Sequence, residues 1–290
     1  MASEWCIGII GGSGLYEIEG LEDAQWIAID TPWGEPSDEI LCGTLGGVKV
    51  RFLPRHGRGH PITPTELNAR ANIDALKRAG CTDIVAISAV GSLREELEPG
   101  RFAVVDQFID RTFARPSTFF TSGFVTHVSM ADPTCERLSE MCAKALSACK
   151  GKVAVGATYL AMEGPQFSTR AESRMYRQWG ADIIGMTGMP EAKLAREAEL
   201  PYALVGMVTD YDCWREDDAV DVAEVVKQMG ENGELARAMV VKLIESLPKK
   251  RKASPIDTVL DTAVITAPEE QDPDVMAKLD AVGKRLFAKK

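Results

Sequence analysis

Trp5-Cys6-Ile7-Gly8-Ile9-Ile10-Gly11-Gly12-Ser13-Gly14-Leu15-Tyr16 decides the fold class of this chain. Ile7, Ile9 and Ile10 form a short β-branched run of the kind that fills a strand covered on both faces. The run then breaks into three glycines around Ser13. Without Cβ atoms the backbone approaches a ligand closely and aims several N–H groups at one point. The stretch reads either as a tight turn or as an anion cradle after a central strand. A dinucleotide fingerprint starting at Gly12 would need glycine where Glu17 stands, and no Gly-Lys-Ser/Thr follows to make a P-loop.

A chain of 290 residues, 45% of them hydrophobic, is long enough for one large α/β domain or a domain plus an appendage. The net charge of -10 argues against nucleic acid or an anionic membrane as partner. An anionic substrate must then be held by local donors. No run approaches the ~20 apolar residues of a membrane span, and no signal pattern opens the chain. Seven cysteines without a C-x-x-C pair read as reduced thiols in a cytoplasmic protein. Cys135, Cys142 and Cys149 recur every seven residues and are expected on one buried helical stripe rather than around a metal.

Outward from the glycine loop, segments 39–45 and 48–54 flank Gly46-Gly47 as a hairpin. The second arm delivers Arg55, His56, Arg58 and His60, a basic cluster bounded by glycines. Arg binds phosphate bidentately and His adds a donor. A helix over 67–79 precedes a buried strand over 83–90 that ends in Ser88 and Ala89, where parallel sheets bind ligands. Strands are expected over 102–109, 153–162, 182–186 and 202–208, and helices over 133–149, 191–199 and 220–247. Gly230 and Gly233 suggest a kink or break in the last of these. Thr169 and Glu172 form a capping box, while Phe167 just before it is placed to stack on a planar base. Thr187 falls at a strand-to-helix turn, a natural anion position. Asp210 and Asp212 close the last strand. Beyond Leu247, Lys249-Lys250-Arg251-Lys252 reads as a solvated linker. Val275, Met276, Leu279, Val282, Leu286 and Phe287 then repeat at helical spacing, docked on the same chain or on a neighbour. Alternating strands and helices imply an α/β fold with a mixed central sheet flanked by helices. The expected division is a domain over 1–247 and a tail over 248–290.

Together, the runs 8–15 (G-I-I-G-G-S-G-L), 54–60 (P-R-H-G-R-G-H), 88–97 (S-A-V-G-S-L-R-E-E-L), 106–112 (D-Q-F-I-D-R-T), 163–173 (E-G-P-Q-F-S-T-R-A-E-S), 185–191 (G-M-T-G-M-P-E) and 209–214 (T-D-Y-D-C-W) resemble the methylthioadenosine phosphorylases, in the trimeric branch of the purine nucleoside phosphorylases. The resemblance implies a single-domain phosphorylase-type fold with a C-terminal helical extension and a homotrimer or pair of trimers. It implies no metal or organic cofactor, inorganic phosphate being the co-substrate. Carried over by position, it implies that Ser13, Arg55, His56, Ser88, Ala89 and Thr187 hold phosphate. Met186 lies against the ribose and Phe167 against the base, while Asp210, Tyr211 and Asp212 read the purine edge. Ser168 and Val222 tune base and 5′-group selectivity, and His127 reaches a neighbouring subunit's site. Relatives often carry threonine where Ser13 and Ser88 stand, which keeps the hydroxyl.

Phosphorolysis of an N-glycosidic bond requires protonation of the leaving purine and phosphate on the opposite sugar face. Asp210 is expected to act as general acid at purine N7, with Asp212 as the second carboxylate. An ionised carboxylate accepts from a 6-amino group and opposes a 6-oxo group, and such mispairing discriminates by ~10⁴ or more. The carboxylates therefore point to adenine as the base; the resemblance favours S-methyl-5′-thioadenosine as the nucleoside, with adenosine as a second substrate, because an apolar pocket rejects a 5′-hydroxyl only by ~10². A 6-oxopurine or methylthioinosine phosphorylase, a hydrolytic nucleosidase and a non-catalytic nucleotide-binding module are the rival readings.

Overall fold

The computed structural model describes residues 4–12, 14–215 and 222–288. In chain order the elements are β1 (Cys6–Gly11), β2 (Leu21–Ile27), β3 (Ile40–Leu45), β4 (Val48–Pro54), α1 (Ala69–Arg78), β5 (Asp83–Ser92), β6 (Phe102–Asp110), α2 (Glu136–Ala148), β7 (Val153–Ala161), α3 (Arg170–Gln178), β8 (Ile183–Gly185), α4 (Gly188–Glu197), β9 (Tyr202–Asp210) and α5 (Val222–Ser246). A 3-10 segment (Pro255–Thr262), α6 (Pro273–Lys278) and α7 (Lys284–Phe287) follow.

Among the described residues the strands form one nine-stranded mixed sheet in the order β2-β3-β4-β1-β5-β8-β7-β6-β9. β9 also pairs with β5, so β5, β8, β7, β6 and β9 close into a ring. β5 is the hinge of this arrangement. It runs parallel to β1 over Asp83–Ala86 and to β9 over Ile84–Gly91, and its last two residues meet β8 antiparallel.

The apolar runs explain why these strands are central. Along β1, Ile10 faces one core while Ile7 and Ile9 face the other. Along β5, Ile84 and Ala86 alternate with Val85 and Ile87 in the same way. A period of two with both sets apolar is the signature of a sheet covered on both faces. α1 and α4 cover the first face through Ile73, Leu76 and Leu194. α2 and α5 cover the second through Leu138, Leu146, Met239 and Leu243.

The sequence reading departs from the structure in several places. β2 escaped notice because it is an edge strand with only Leu21 and Trp26 part-buried, and charges at Glu22 and Asp23 break its alternation. α5 runs unbroken through Gly230 and Gly233, since packing of its second half on the core outweighs the glycine penalty of about 1 kcal/mol each. The tail does not form one amphipathic helix. It divides into the 3-10 segment, a shorter one over Pro268–Glu270, α6 and α7, and it docks on its own body, with Leu260, Leu279 and Val282 in the first core. Arg251 is not solvated either, being 5% exposed and bonded to Asp83 and Asp257.

Candidate active site

One cavity of about 360 Å³ opens where β5, β8 and β9 end. That volume lies in the range of small-molecule sites. Arg55, His56, Ser88, Ala89, Phe167, Met186, Thr187, Asp210 and Asp212 all line it. They arrive from segments far apart in sequence, and the sheet register brings them together. Gly91 pairs with Ile184 across the antiparallel β5–β8 contact. Continuing that register by three residues sets Ser88 opposite Thr187, and their hydroxyls lie 2.9 Å apart. On the other side Gly91 pairs with Asp210 of β9. The hydroxyl pair and the carboxylates are thus about three residues apart along β5, roughly 10 Å.

At the hydroxyl end, Ser88 and Thr187 are both nearly buried and hydrogen-bond each other. Thr187 does not offer a free helix N-terminus, because its N–H and that of Gly188 donate to the Tyr159 hydroxyl. Arg55 lines the cavity but does not aim its fork into it. Nε and Nη2 donate to the two carboxylate oxygens of Glu191, at 3.0 and 3.2 Å. Nη1 donates to the Ile87 carbonyl and Nη2 also to that of Ile10. Of five N–H donors, one on Nη1 remains. Bidentate capture of an anion by Arg55 is therefore replaced by a bidentate hold on Glu191, which the Tyr202 hydroxyl also contacts. His56 sits against the same end, its Nδ1 2.9 Å from the Ile62 carbonyl oxygen. Burial pulls its imidazole down to about 4. Arg58 is turned away, paired with Asp38 and Glu39 on the surface.

At the carboxylate end the two aspartates differ. Asp210 accepts from the Asp212 N–H at Oδ1, 2.8 Å, and from the Thr209 hydroxyl at Oδ2, 2.7 Å. Asp212 is 4% exposed and its Oδ2 meets no partner at hydrogen-bond distance. Burial pushes its carboxyl up to about 6, the neighbouring Asp210 charge adding to the rise and the Ser173 hydroxyl opposing it. Gly91 makes the room for both. A Cβ there would stand 2.9 Å from Asp210 Oδ1 and 3.1 Å from Ile184.

The loop carrying Phe167 is fixed at its base by Glu163. That carboxylate accepts from Thr65, Phe113, Ala114 and Arg115. Against the effect of burial, these donors hold it down at about 2. Arg115 also donates to the carbonyls of Met186 and Met189, so one side chain ties the Phe167 loop to the Met186–Thr187 wall.

Ser13 lies outside the described residues. Tyr211, Ser168, Val222 and His127 are not brought to the cavity within this chain. The Tyr211 hydroxyl donates to the Glu95 carbonyl, and the Ser168 hydroxyl points at Met162 Sδ. Val222 is 61% exposed at the start of α5; one turn on, Val225 and then Met229 line the cavity. His127 is exposed on a segment bridged to Val264. His60, a member of the basic cluster expected to meet an anion, lines the cavity too, whereas sequence reasoning missed Gly91, Thr209, Val225 and Met229 as lining residues and Glu191 as the partner of Arg55. Val225 and Met229 had a readable signal, the i, i+4 spacing on the apolar face of a helix.

Residues 6–245 match the model of the phosphorylase superfamily. The chain is 58% identical to the S-methyl-5′-thioadenosine phosphorylase of Cereibacter sphaeroides over 97% of its own length and 98% of the relative's. It is 53% identical to that of Bradyrhizobium diazoefficiens, with the same coverage. Its fold superposes on a crystal structure of methylthioadenosine phosphorylase from an antarctic soil metagenomic library, with a TM-score of 0.89, 45% identity and coverage of 96% and 99%. It also superposes on a mutant adenosine/methylthioadenosine phosphorylase from Schistosoma mansoni in complex with methylthioadenosine, with a TM-score of 0.76, 37% identity and coverage of 84% and 93%. Sequence and fold agree that the chain belongs to the phosphorylase superfamily, in the branch of the S-methyl-5′-thioadenosine phosphorylases.

Proposed function

We propose that the protein catalyses phosphorolysis of S-methyl-5′-thioadenosine to adenine and 5-methylthioribose 1-phosphate. The observation that carries this reading is that a hydroxyl–imidazole end and a dicarboxylate end share one cavity, roughly 10 Å apart along β5. In this reading phosphate rests against Ser88, Ala89, Thr187, His56 and the remaining N–H of Arg55. Met186 supports the sugar and Phe167 the purine. Asp210 serves purine N7 as general acid, passing on a proton that its carboxyl takes up from water in each turnover, and Asp212, ionised above about pH 6, accepts from the 6-amino group. Phosphate is the nucleophile and attacks the anomeric carbon from the face opposite the purine. No covalent enzyme intermediate forms, the configuration inverts, and the reaction draws on no metal or organic cofactor.

The reading includes a homotrimer or pair of trimers in the cytoplasm. Seven unpaired cysteines support a reducing setting. The exposed position of His127, away from its own cavity, supports its service to a neighbouring copy. The test is purine release with and without phosphate, adenine from S-methyl-5′-thioadenosine and adenosine, hypoxanthine from methylthioinosine and inosine. We expect strict phosphate dependence and a 6-amino preference of ~10⁴. Release without phosphate, or faster turnover of the 6-oxo nucleosides, would refute it.

A further inference from the structure

We propose that His56 serves the phosphate as a hydrogen-bond acceptor, its bare Nε2 taking the P–OH of the anion, so that the site selects oxyanions that carry a proton. The inference rests on the phosphorolytic reading and specifies which face of the co-substrate that site recognises.

His56 lines the cavity, and its Nδ1 lies 2.9 Å from the Ile62 carbonyl oxygen. A carbonyl oxygen can only accept, so Nδ1 carries the proton of the neutral ring and Nε2 is left as a lone pair. Of the groups packed against the ring, the Ile62 carbonyl favours a second proton, while His60, Arg55 and Arg115 oppose it. His60 stacks on it, with centroids 4.2 Å apart and planes 10° from parallel. Arg55 and Arg115 are fixed cations nearby, each held by its own carboxylate, Glu191 and Glu163. Burial acts in the same direction.

Among the described residues, the side-chain donors at this end are the Ser88 and Thr187 hydroxyls, which bond each other, and one Arg55 N–H, and His56 is not among them. Phosphate at neutral pH always keeps at least one P–OH and satisfies the lone pair. Sulfate has the same shape and a comparable charge but no proton, so it sets an oxygen lone pair against Nε2. His60 is the positioning residue in this account, because its stack keeps the His56 ring oriented and neutral.

The experiment compares phosphate and sulfate at pH 7.5 on the full chain, by calorimetric titration and by sulfate inhibition of phosphorolysis. We expect phosphate to bind at least about tenfold more tightly than sulfate, the penalty of facing a buried group with the wrong partner. His56→Gln presents both a donor and an acceptor, and the ratio should narrow through a gain in sulfate affinity. In the unmutated protein, ¹⁵N NMR should find the phosphate-bound His56 with Nδ1 protonated and Nε2 accepting. Equal affinities with normal phosphate-dependent turnover, an unchanged ratio in His56→Gln, or an imidazolium signal would each overturn the assignment alone. Adenine release that needs no phosphate would overturn the phosphorolytic reading and this assignment together.

Discussion

Asp210 and Asp212 stand two residues apart and do different work because their surroundings differ. Both oxygens of Asp210 already accept a hydrogen bond, whereas Asp212 keeps a buried oxygen without a partner. Asp210→Asn removes the proton donor at the leaving base, and turnover of S-methyl-5′-thioadenosine should fall ~10²–10⁴-fold with phosphate affinity nearly unchanged. Steady-state kinetics with both substrates varied would check this. Asp212 supplies a pH test. Its carboxyl is raised to about 6, so it protonates as the medium is acidified through that value and ceases to accept from a 6-amino group. The kcat/KM for 6-amino nucleosides should decline below about pH 6, and Asp212→Asn should flatten that limb. The linked effect on stability has the opposite sense. A carboxyl whose folded pKa is raised stabilises the fold fully below its unfolded pKa and loses that contribution as pH rises through about 6. The unliganded protein should therefore gain relative stability in Asp212→Asn above pH 6, as read by urea denaturation at pH 5 and 8. The two carboxylates were visible in the sequence as a pair at a strand end. Their inequality was not, because it depends on which oxygen the fold leaves unpartnered. Arg55 shows the same limit, since nothing local tells that Glu191, 136 residues away, occupies its fork.

Elements were legible where periodicity was strong. β1, β5 and β9 are continuous apolar runs, and the Thr169–Glu172 capping box that begins α3 was readable from spacing alone. The ring closure was not, for it requires β5 to be parallel to β9 and antiparallel to β8 at once. That closure is what sets Ser88 opposite Thr187 and Gly91 opposite Asp210. Gly91 therefore carries a test of the element geometry. A methyl group there would crowd Asp210 Oδ1 at 2.9 Å and Ile184 at 3.1 Å, so β9 or the Asp210 side chain must shift. Displacements approaching 1 Å cost about 10²-fold in rate. Gly91→Ala should lose activity on that order and retain a cooperative unfolding transition, as checked by parallel kinetics and circular dichroism. Wild-type activity would mean that the carboxylate is not held by this strand contact.

For the whole molecule, the tail is held to the body by buried charge as well as by apolar contact. Asp83 opens β5 with no exposed side-chain surface and accepts from both Arg137 and Arg251. Arg251 spans from there to Asp257, which in turn completes the capping box of Ser254 at the start of the 3-10 segment. Lys249 to Lys252 looked like a solvated basic run because composition cannot single out the one member that a distant aspartate draws inward. Removing Arg251 leaves Asp83 buried with half its partners, and losing one member of such a network costs on the order of 3 kcal/mol. Lys250→Ala, on the exposed side of the same run, should stay within about 0.5 kcal/mol. Urea midpoints of Arg251→Ala and Lys250→Ala measured side by side would read this difference. Asp83 and Gly91 lie at opposite ends of β5, eight residues and roughly 25 Å apart. Arg251→Ala should accordingly unfold more readily while keeping kcat/KM within about threefold, because effects at well-separated sites are close to independent. A loss of turnover at unchanged stability would instead place the tail in the catalytic cycle.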